Sequence, residues 1–278
     1  MSSSESGSYR IGEAQFRDES AELARLRVQA EVLWPQELGV LPRHGLRDGV
    51  SILEAGCGPG FVTALLLESF PRASVTGLDL DPVMLAHARE RVGESDRVRF
   101  IEGSAATTGL PGGSFDLVLA RFLLQHVPNA HDVLIELRRV LSPGGRLIVV
   151  DADFAFSTLF EPEPAFTREL IDAVVEGQRL RGGDPQIARK LPRLLREAGF
   201  SDIAVDAVVA HSVVVGREPI RGVIPDQALD HLQRAGLISP ELANDARDYL
   251  ARIDSGEQEY EGMEMALVVS GTRGGWGS

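Results

Sequence analysis

From about residue 50 the chain alternates short apolar runs with longer segments of helical period. The runs SILEA (51–55), SVTGLD (74–79), VRFIE (98–102), FDLVLA (115–120) and RLIVVD (146–151) predict five strands. Their near-continuous apolar character suits a parallel sheet covered on both faces. Between them, DPVMLAHARERV predicts a helix with Asp81 as N-cap and Pro82 at its first position. HDVLIELRRVL places Val133, Leu134, Leu137, Val140 and Leu141 on one stripe, and SPGG stops it. Ahead of this block, Leu23, Leu26, Val28, Val32 and Leu33 predict an amphipathic leader helix over 13–41.

Beyond Asp151 the rhythm changes. Residues 154–201 read as mostly helical, from FAFSTLF to QIARKLPRLLREAGF, followed by a strand over roughly 202–215. Two more helical pieces run to about 253, and MEMALVVSG reads as a last strand. These late segments follow strands at the rim of the sheet, so they are expected to roof a site there. The expected division is a tail and helical leader or lid (1–46), an α/β core (47–152), helical insertions with the last strands (153–272), and a tail (273–278). The fold class is a doubly wound α/β sheet.

Composition narrows the function. The 278 residues are 44% hydrophobic and 25% charged, ordinary for a soluble globular chain. No apolar run is long enough for a membrane span, and the Ser-rich start lacks the apolar core of a signal peptide. The single cysteine, Cys57, has no partner for a disulfide and no cluster for a metal, so a cytoplasmic location is the expectation. The net charge of −13, with Lys190 the only lysine, disfavours nucleic acid as a partner. A small molecule is favoured instead.

The chemistry concentrates at ILEAGCGPG, where the first strand meets the helix after it. In such sheets ligands sit beyond the carboxyl ends of the strands. Asp79 ends the second strand 19 residues after Gly60, the spacing at which a carboxylate accepts ribose hydroxyls in dinucleotide folds. A dinucleotide loop, however, needs glycine or alanine where Phe61 stands, and Pro59 removes a backbone donor. Glu54 would repel phosphate and attract a cation. The ligand that fits has a ribose and a positive end without phosphate, as S-adenosylmethionine does.

The stretches ILEAGCGPGFVTALLLE, VTGLDLDPVMLAHAR, GSAATTGLPGGSFDLVLARFLLQHV and ELRRVLSPGGRLIVVD, in that order, resemble the motifs of class I S-adenosylmethionine-dependent methyltransferases. The resemblance covers residues 50–152 and implies a seven-stranded sheet with a reversed last strand, for which MEMALVVSG is a candidate. It further implies that Gly56, Gly58 and Gly60 let the backbone pass close to the methionine portion and ribose. Glu54 would hold the ammonium, Asp79 the ribose hydroxyls, and Leu80 and Met84 the adenine. Where the family often has Gly-Asp-Ala after the third strand, this chain has Gly103, Ser104 and Ala105, a hydroxyl without charge assistance. The leader is similar to one found in many bacterial small-molecule methyltransferases, which makes Tyr9 and Gln29 cofactor or lid contacts.

Other candidates keep two readings each. His126 is a general base titrating near the ordinary imidazole value of about 6.5, or an anchor of its loop. Arg121 and Gln125 contact cofactor or acceptor. FAFSTLF (154–160) is core or the wall of an acceptor pocket. Cys57 reads as a small buried filler, and His87 and His131 as surface residues. No metal spacing and no Gly-x-Ser-x-Gly elbow occur. The expected activity is methyl transfer by in-line displacement to a small, apolar or aromatic acceptor. The alternatives are a non-methylating enzyme of the same cofactor (a cyclase or decarboxylase), a non-catalytic cofactor-binding protein, and, more distantly, an NAD dehydrogenase. Oligomeric state leaves no mark in the sequence.

Overall fold

The computed structural model describes residues 19–155, 158–222 and 226–274. The first half runs α1 (Glu19–Leu38), a 3-10 turn (Leu41–His44), β1 (Ser51–Ala55), α2 (Phe61–Ser69), β2 (Ser74–Asp79), α3 (Pro82–Val92) and β3 (Val98–Glu102). It continues with β4 (Phe115–Arg121), a 3-10 turn (Leu124–His126), α4 (Ala130–Val140) and β5 (Leu141–Asp151). The second half adds β6 (Thr158–Glu161), α5 (Thr167–Leu180), α6 (Leu191–Glu197), β7 (Phe200–His211) and two short helices, α7 (Ser212–Val215) and α8 (Arg217–Gly222). It closes with α9 (Asp226–Arg234), α10 (Pro240–Asp254) and β8 (Glu261–Arg273).

The sheet is a doubly wound α/β sheet, as expected. Strands β3-β2-β1-β4-β5 are parallel, and β8 runs antiparallel to β5 as the reversed strand. β7 takes the other edge of β8 over most of its length. Alternate residues of the strands feed two cores. Ile52, Leu117, Leu119, Ile148 and Val150 pack with α1 and α2, while Leu53, Val118, Leu147 and Val149 pack with α4 and α6. This two-sided burial is why β1, β4 and the second half of β5 are nearly apolar throughout rather than alternating. A separate cluster, with Leu229, Leu232, Leu242 and Leu250 at its centre, joins α5, α9 and α10 beside the sheet. Among the described residues no helix is long and apolar enough to cross a membrane.

Three segments differ from the sequence expectations. Residues 154–201 are not helical from the start: β6 is a short strand on the open end of β8, bringing the described sheet to eight strands. The prolines after Glu161 and Glu163 disfavour helix there, and β8 offers backbone partners. The strand expected to reach 215 ends at His211, whose Nδ1 accepts the Val213 N–H at 3.1 Å and starts the α7 turn. β5 begins at Leu141 rather than 146, because Leu141 already pairs with Phe115 of β4. The start of the leader, including Tyr9, lies outside the described residues.

One buried cluster has the look of chemistry and is structural. His44 Nδ1 lies 2.8 Å from Ser270 Oγ, and its Nε2 lies 2.9 Å from Asp206 Oδ2. That is the residue order of a hydrolytic relay. Ser270, however, is fully buried, and its Oγ accepts from Arg146 Nη2 at 2.8 Å. The chain of bonds pins the first 3-10 turn to β7 and β8.

Candidate functional site

A cavity of about 1320 Å³ opens at the carboxyl ends of β1, β2 and β4, under α1, α5 and α10. Pockets for one drug-sized ligand run from about 300 to 1,000 Å³, so two ligands fit side by side. Its floor is the loop between β1 and α2. There the N–H groups of Gly56 and Cys57 both donate to Leu78 O, at 2.7 and 3.0 Å. Gly58 N–H donates to Asp79 Oδ2 at 2.7 Å, Pro59 has no N–H, and Gly60 N–H donates to Cys57 O at 3.1 Å. Every backbone donor from 56 to 60 is therefore used inside the protein, and a pyrophosphate would find none in this loop. Gly58 has φ +53° and open space where a Cβ would point, whereas a Cβ on Gly60 would meet Ala88 at 3.0 Å. The first glycine leaves room for a ligand and the second lets α3 close in.

Two acids flank the loop. Glu54 is 3% exposed and accepts a 2.5 Å hydrogen bond from Thr63 Oγ1 on α2. Burial pushes its carboxyl up to about 8, the Thr63 bond and the Arg121 charge pull it down, and Asp79 pushes it up again. An acid held this way favours a cationic partner, which would restore its charge. Asp79 is also raised by burial, against the hydrogen bonds from Asp81 and Gly58. Its Oδ1 accepts Asp81 N–H at 2.9 Å, so both oxygens brace the backbone while the side chain lines the cavity. Leu80 is exposed, Met84 is buried, and both line the same end, as do Ser104 and Ala105. Ser104 Oγ accepts Ala106 N–H at 3.2 Å. Cys57 is buried and burial raises its thiol well above the ordinary value, so it stays a thiol, as a filler would.

Arg121 and Gln29 line the cavity too, and they touch each other. Arg121 Nε donates to both Glu37 oxygens, at 2.8 and 3.1 Å, and its Nη2 donates to the Gln29 carbonyl at 3.1 Å. The guanidinium thus ties α1 to the end of β4. The next residue, Phe122, has φ +50°, a left-handed conformation costly for a side chain of that size, and it turns the chain into the second 3-10 turn. Gln125 in that turn is buried; its N–H donates to Asp151 Oδ2 at 3.2 Å. Its carbonyl accepts from Asp184 N–H at 2.8 Å and from Gln178 Nε2 of α5 at 2.9 Å. Burial raises the Asp151 carboxyl to about 7.

His126 lines the cavity, but not as a group poised near neutrality. Burial first, then the charges of Arg25 and Arg181, hold its imidazole down to about 3. A ring this hard to protonate is a weak base, which corrects the expectation of titration near 6.5. We predict that His126→Ala changes kcat by less than about tenfold, below the 10²–10⁴ of a general base. It should also remove no limb near pH 6.5. As pH falls below about 6.5 the unfolded chain binds a proton that the folded ring refuses, so wild-type stability drops from there toward pH 3. Denaturant titrations at several pH values should show a flatter acid slope in the variant; an unchanged slope with a thousandfold loss of kcat would restore the base.

The roof is apolar. Phe154, Phe160, Phe166, Leu170 and Val174 line it, with Tyr249 and Leu250 of α10. Phe166 and Tyr249 meet edge to face, centroids 5.8 Å apart. Phe154 and Phe160 are thus the wall residues of FAFSTLF, while Phe156 and Ser157 lie outside the described residues. His131 is partly exposed, and His87 sits near the surface against Glu19 at 2.6 Å. Thr63, Glu37, Arg25 and Arg181 were not singled out in the sequence. Thr63 falls within the ILEAGCGPGFVTALLLE motif but three residues past the last of its glycines, and the other three are polar residues on a helix or at its end with no local motif to mark them.

A family model described as a methyltransferase domain matches residues 53–149. The chain is 36% identical over 189 residues to trans-aconitate 2-methyltransferase of Methylobacterium radiotolerans, covering 66% of this chain and 67% of that protein. It is also 36% identical over 192 residues to an uncharacterized 37.1 kDa transposon protein of Streptomyces fradiae, covering 67% of this chain but only 50% of the relative's length. Among solved structures it is similar to Haemonchus contortus phosphoethanolamine N-methyltransferase 2 in complex with phosphomonomethylethanolamine and S-adenosylhomocysteine. That likeness has a TM-score of 0.58 at 19% identity, spans 94% of this chain and 58% of the other, and concerns the fold alone.

Proposed function

Since the chain belongs to the S-adenosylmethionine-dependent methyltransferases, with S-adenosylmethionine as cofactor, we propose that it methylates a small molecule with an apolar or aromatic body. The observation that carries this reading is one cavity with two unlike ends: an acid-flanked glycine floor and an aromatic roof. In this reading residues 47–152 hold the cofactor and residues 153–272 shape the acceptor pocket. The cofactor supplies a methyl group already activated on a sulfonium. The protein therefore contributes alignment for in-line displacement and exclusion of water.

The residues at the floor suit that cofactor. Glu54 faces the ammonium, Asp79 takes the ribose hydroxyls, Gly58 leaves space for the ribose, and Leu80 and Met84 flank the adenine. Ser104 and Ala105 border the adenine edge without a carboxylate. Arg121 and Gln29 shape the wall through α1. Incubating the protein with S-adenosylmethionine and a metabolite extract tests the reading by mass spectrometry. A product gaining one methyl is expected; cofactor binding with no methylated product from any extract would favour a non-methylating role.

Glu54 makes a further prediction. In the unliganded protein its carboxyl titrates near 8, so at pH 7 it is largely protonated. An ammonium beside it would lower that value, and cofactor binding at pH 7 should release about one proton. Calorimetry in two buffers of different ionisation enthalpy reads this directly. The release should fade above about pH 9 and vanish in Glu54→Gln; binding enthalpies equal in both buffers for the wild type would refute it.

A further inference from the structure

The cavity reaches into the apolar cluster that joins α5, α9 and α10. Phe166, Leu170 and Val174 of that cluster line it, together with Leu229 of α9 and Ala246 and Leu250 of α10. The first three are four positions apart, on one face of α5, and form an apolar stripe about 12 Å long. Leu170 and Val174 are only partly buried, whereas Leu229 and Ala246 are almost fully buried. The space is thus an apolar slot along α5, closed by Leu229 and Ala246.

The polar groups along this slot are engaged by the protein. Tyr249 O–H donates to Pro162 O at 3.3 Å, which leaves its ring as the wall. Gln178, the next position on the stripe, donates its amide to Gln125 O at 2.9 Å. Arg25 is bidentate on Glu22, at 2.9 and 2.6 Å, and Arg181 Nη1 lies 3.1 Å from His231 Nε2. Glu264 adds an acid to the same lining, so charges of both signs border the slot and select neither an anion nor a cation. From this slot, and resting on the methyltransferase reading above, we infer that the acceptor is uncharged and elongated, an aliphatic chain rather than a single ring. The chain lies along α5 with its far end against Leu229 and Ala246. A single ring would cover only part of the stripe, whereas each methylene of a chain laid along it takes further apolar surface out of water.

Straight-chain alcohols (hexanol, octanol and decanol) titrated into the full chain loaded with S-adenosylhomocysteine test this. Affinity should rise about fourfold with each added methylene, so decanol should bind about a hundredfold or more tightly than hexanol. Decanoate and decylamine should both bind more weakly than decanol, because neither charge finds a matching field. Val174→Phe puts a ring into the slot and should cut the decanol-to-hexanol ratio below about tenfold, with S-adenosylhomocysteine affinity held within about twofold. Ala246→Leu, at the closed end, serves as the second variant if Val174→Phe does not fold. A wild-type ratio near one overturns the inference and leaves the roof to a compact acceptor, as does failure of every alcohol to bind. Tighter binding of decanoate or decylamine than of decanol overturns it, and so does a ratio that survives both variants. S-adenosylhomocysteine is titrated first on the same sample: its failure to bind defeats the methyltransferase reading, whereas the order of the chain probes defeats only the acceptor class.

Discussion

Asp79→Ala is expected to weaken S-adenosylhomocysteine binding roughly ten- to a hundredfold, because a lost charged hydrogen bond is worth about 1.5–3 kcal/mol. The geometry adds a second effect. Asp79 also receives the N–H groups of Gly58 and Asp81, so the variant loosens the glycine loop as well as losing a ligand contact. The two effects separate by ligand rather than by mutation. If Asp79 takes the ribose hydroxyls, the wild type should discriminate against a deoxyribose analogue of S-adenosylhomocysteine and Asp79→Ala should not. If Asp79 only braces the loop, both ligands weaken equally and the discrimination persists. Asp79→Asn keeps one acceptor oxygen and should fall between the two. Isothermal titration of both ligands against the three proteins gives the answer, and persistent discrimination in the alanine variant would remove Asp79 from the ribose.

What the sequence disclosed follows the range of the interactions. Strands β1 to β4 were legible almost to the residue, because two-sided burial imposes a local apolar run on β1, β2 and β4, and the edge strand β3 alternates buried Val98 and Phe100 with exposed Arg99. The loop was legible for a related reason: Glu54, Gly58 and Asp79 are set by consecutive strand ends, and their spacing survives as a pattern. Even the exclusion of a pyrophosphate had a local basis in Pro59, although the commitment of every other N–H from 56 to 60 needed the fold. The roof was not legible. β6 exists because β8 extends past β5 and offers it partners, which nothing within 154–165 encodes. His126 was visible as a residue but not as an electrostatic environment, since the two arginines that suppress its protonation come from α1 and α5. Arg121 was marked as a contact in the site, but its partner Glu37 lies 84 positions away on a helix where an acid reads as solvated surface.

That pair carries the second large effect. Glu37 is fully buried and the Arg121 side chain is 8% exposed, so removing either leaves the other charged, dehydrated and without its main partner. Such a loss costs about 3–5 kcal/mol, and for a chain of this size each kcal/mol lowers Tm by about 2–4 °C. Arg121→Met alone is therefore expected to lower Tm by roughly 6–20 °C. Glu37→Leu alone should do much the same. The double variant should recover most of the loss, because a buried pair replaced by apolar residues of similar volume is often neutral in stability. Cofactor affinity then discriminates between roles. As a positioning residue, Arg121 acts on the cavity through α1, so the double variant should regain much of its affinity for S-adenosylhomocysteine along with its Tm. A direct contact would leave affinity low in Arg121→Met and in the double variant alike, while Tm recovered. Additive losses of stability in the double variant would mean that the two side chains are not coupled at all, and that α1 is held over the site by its apolar face alone.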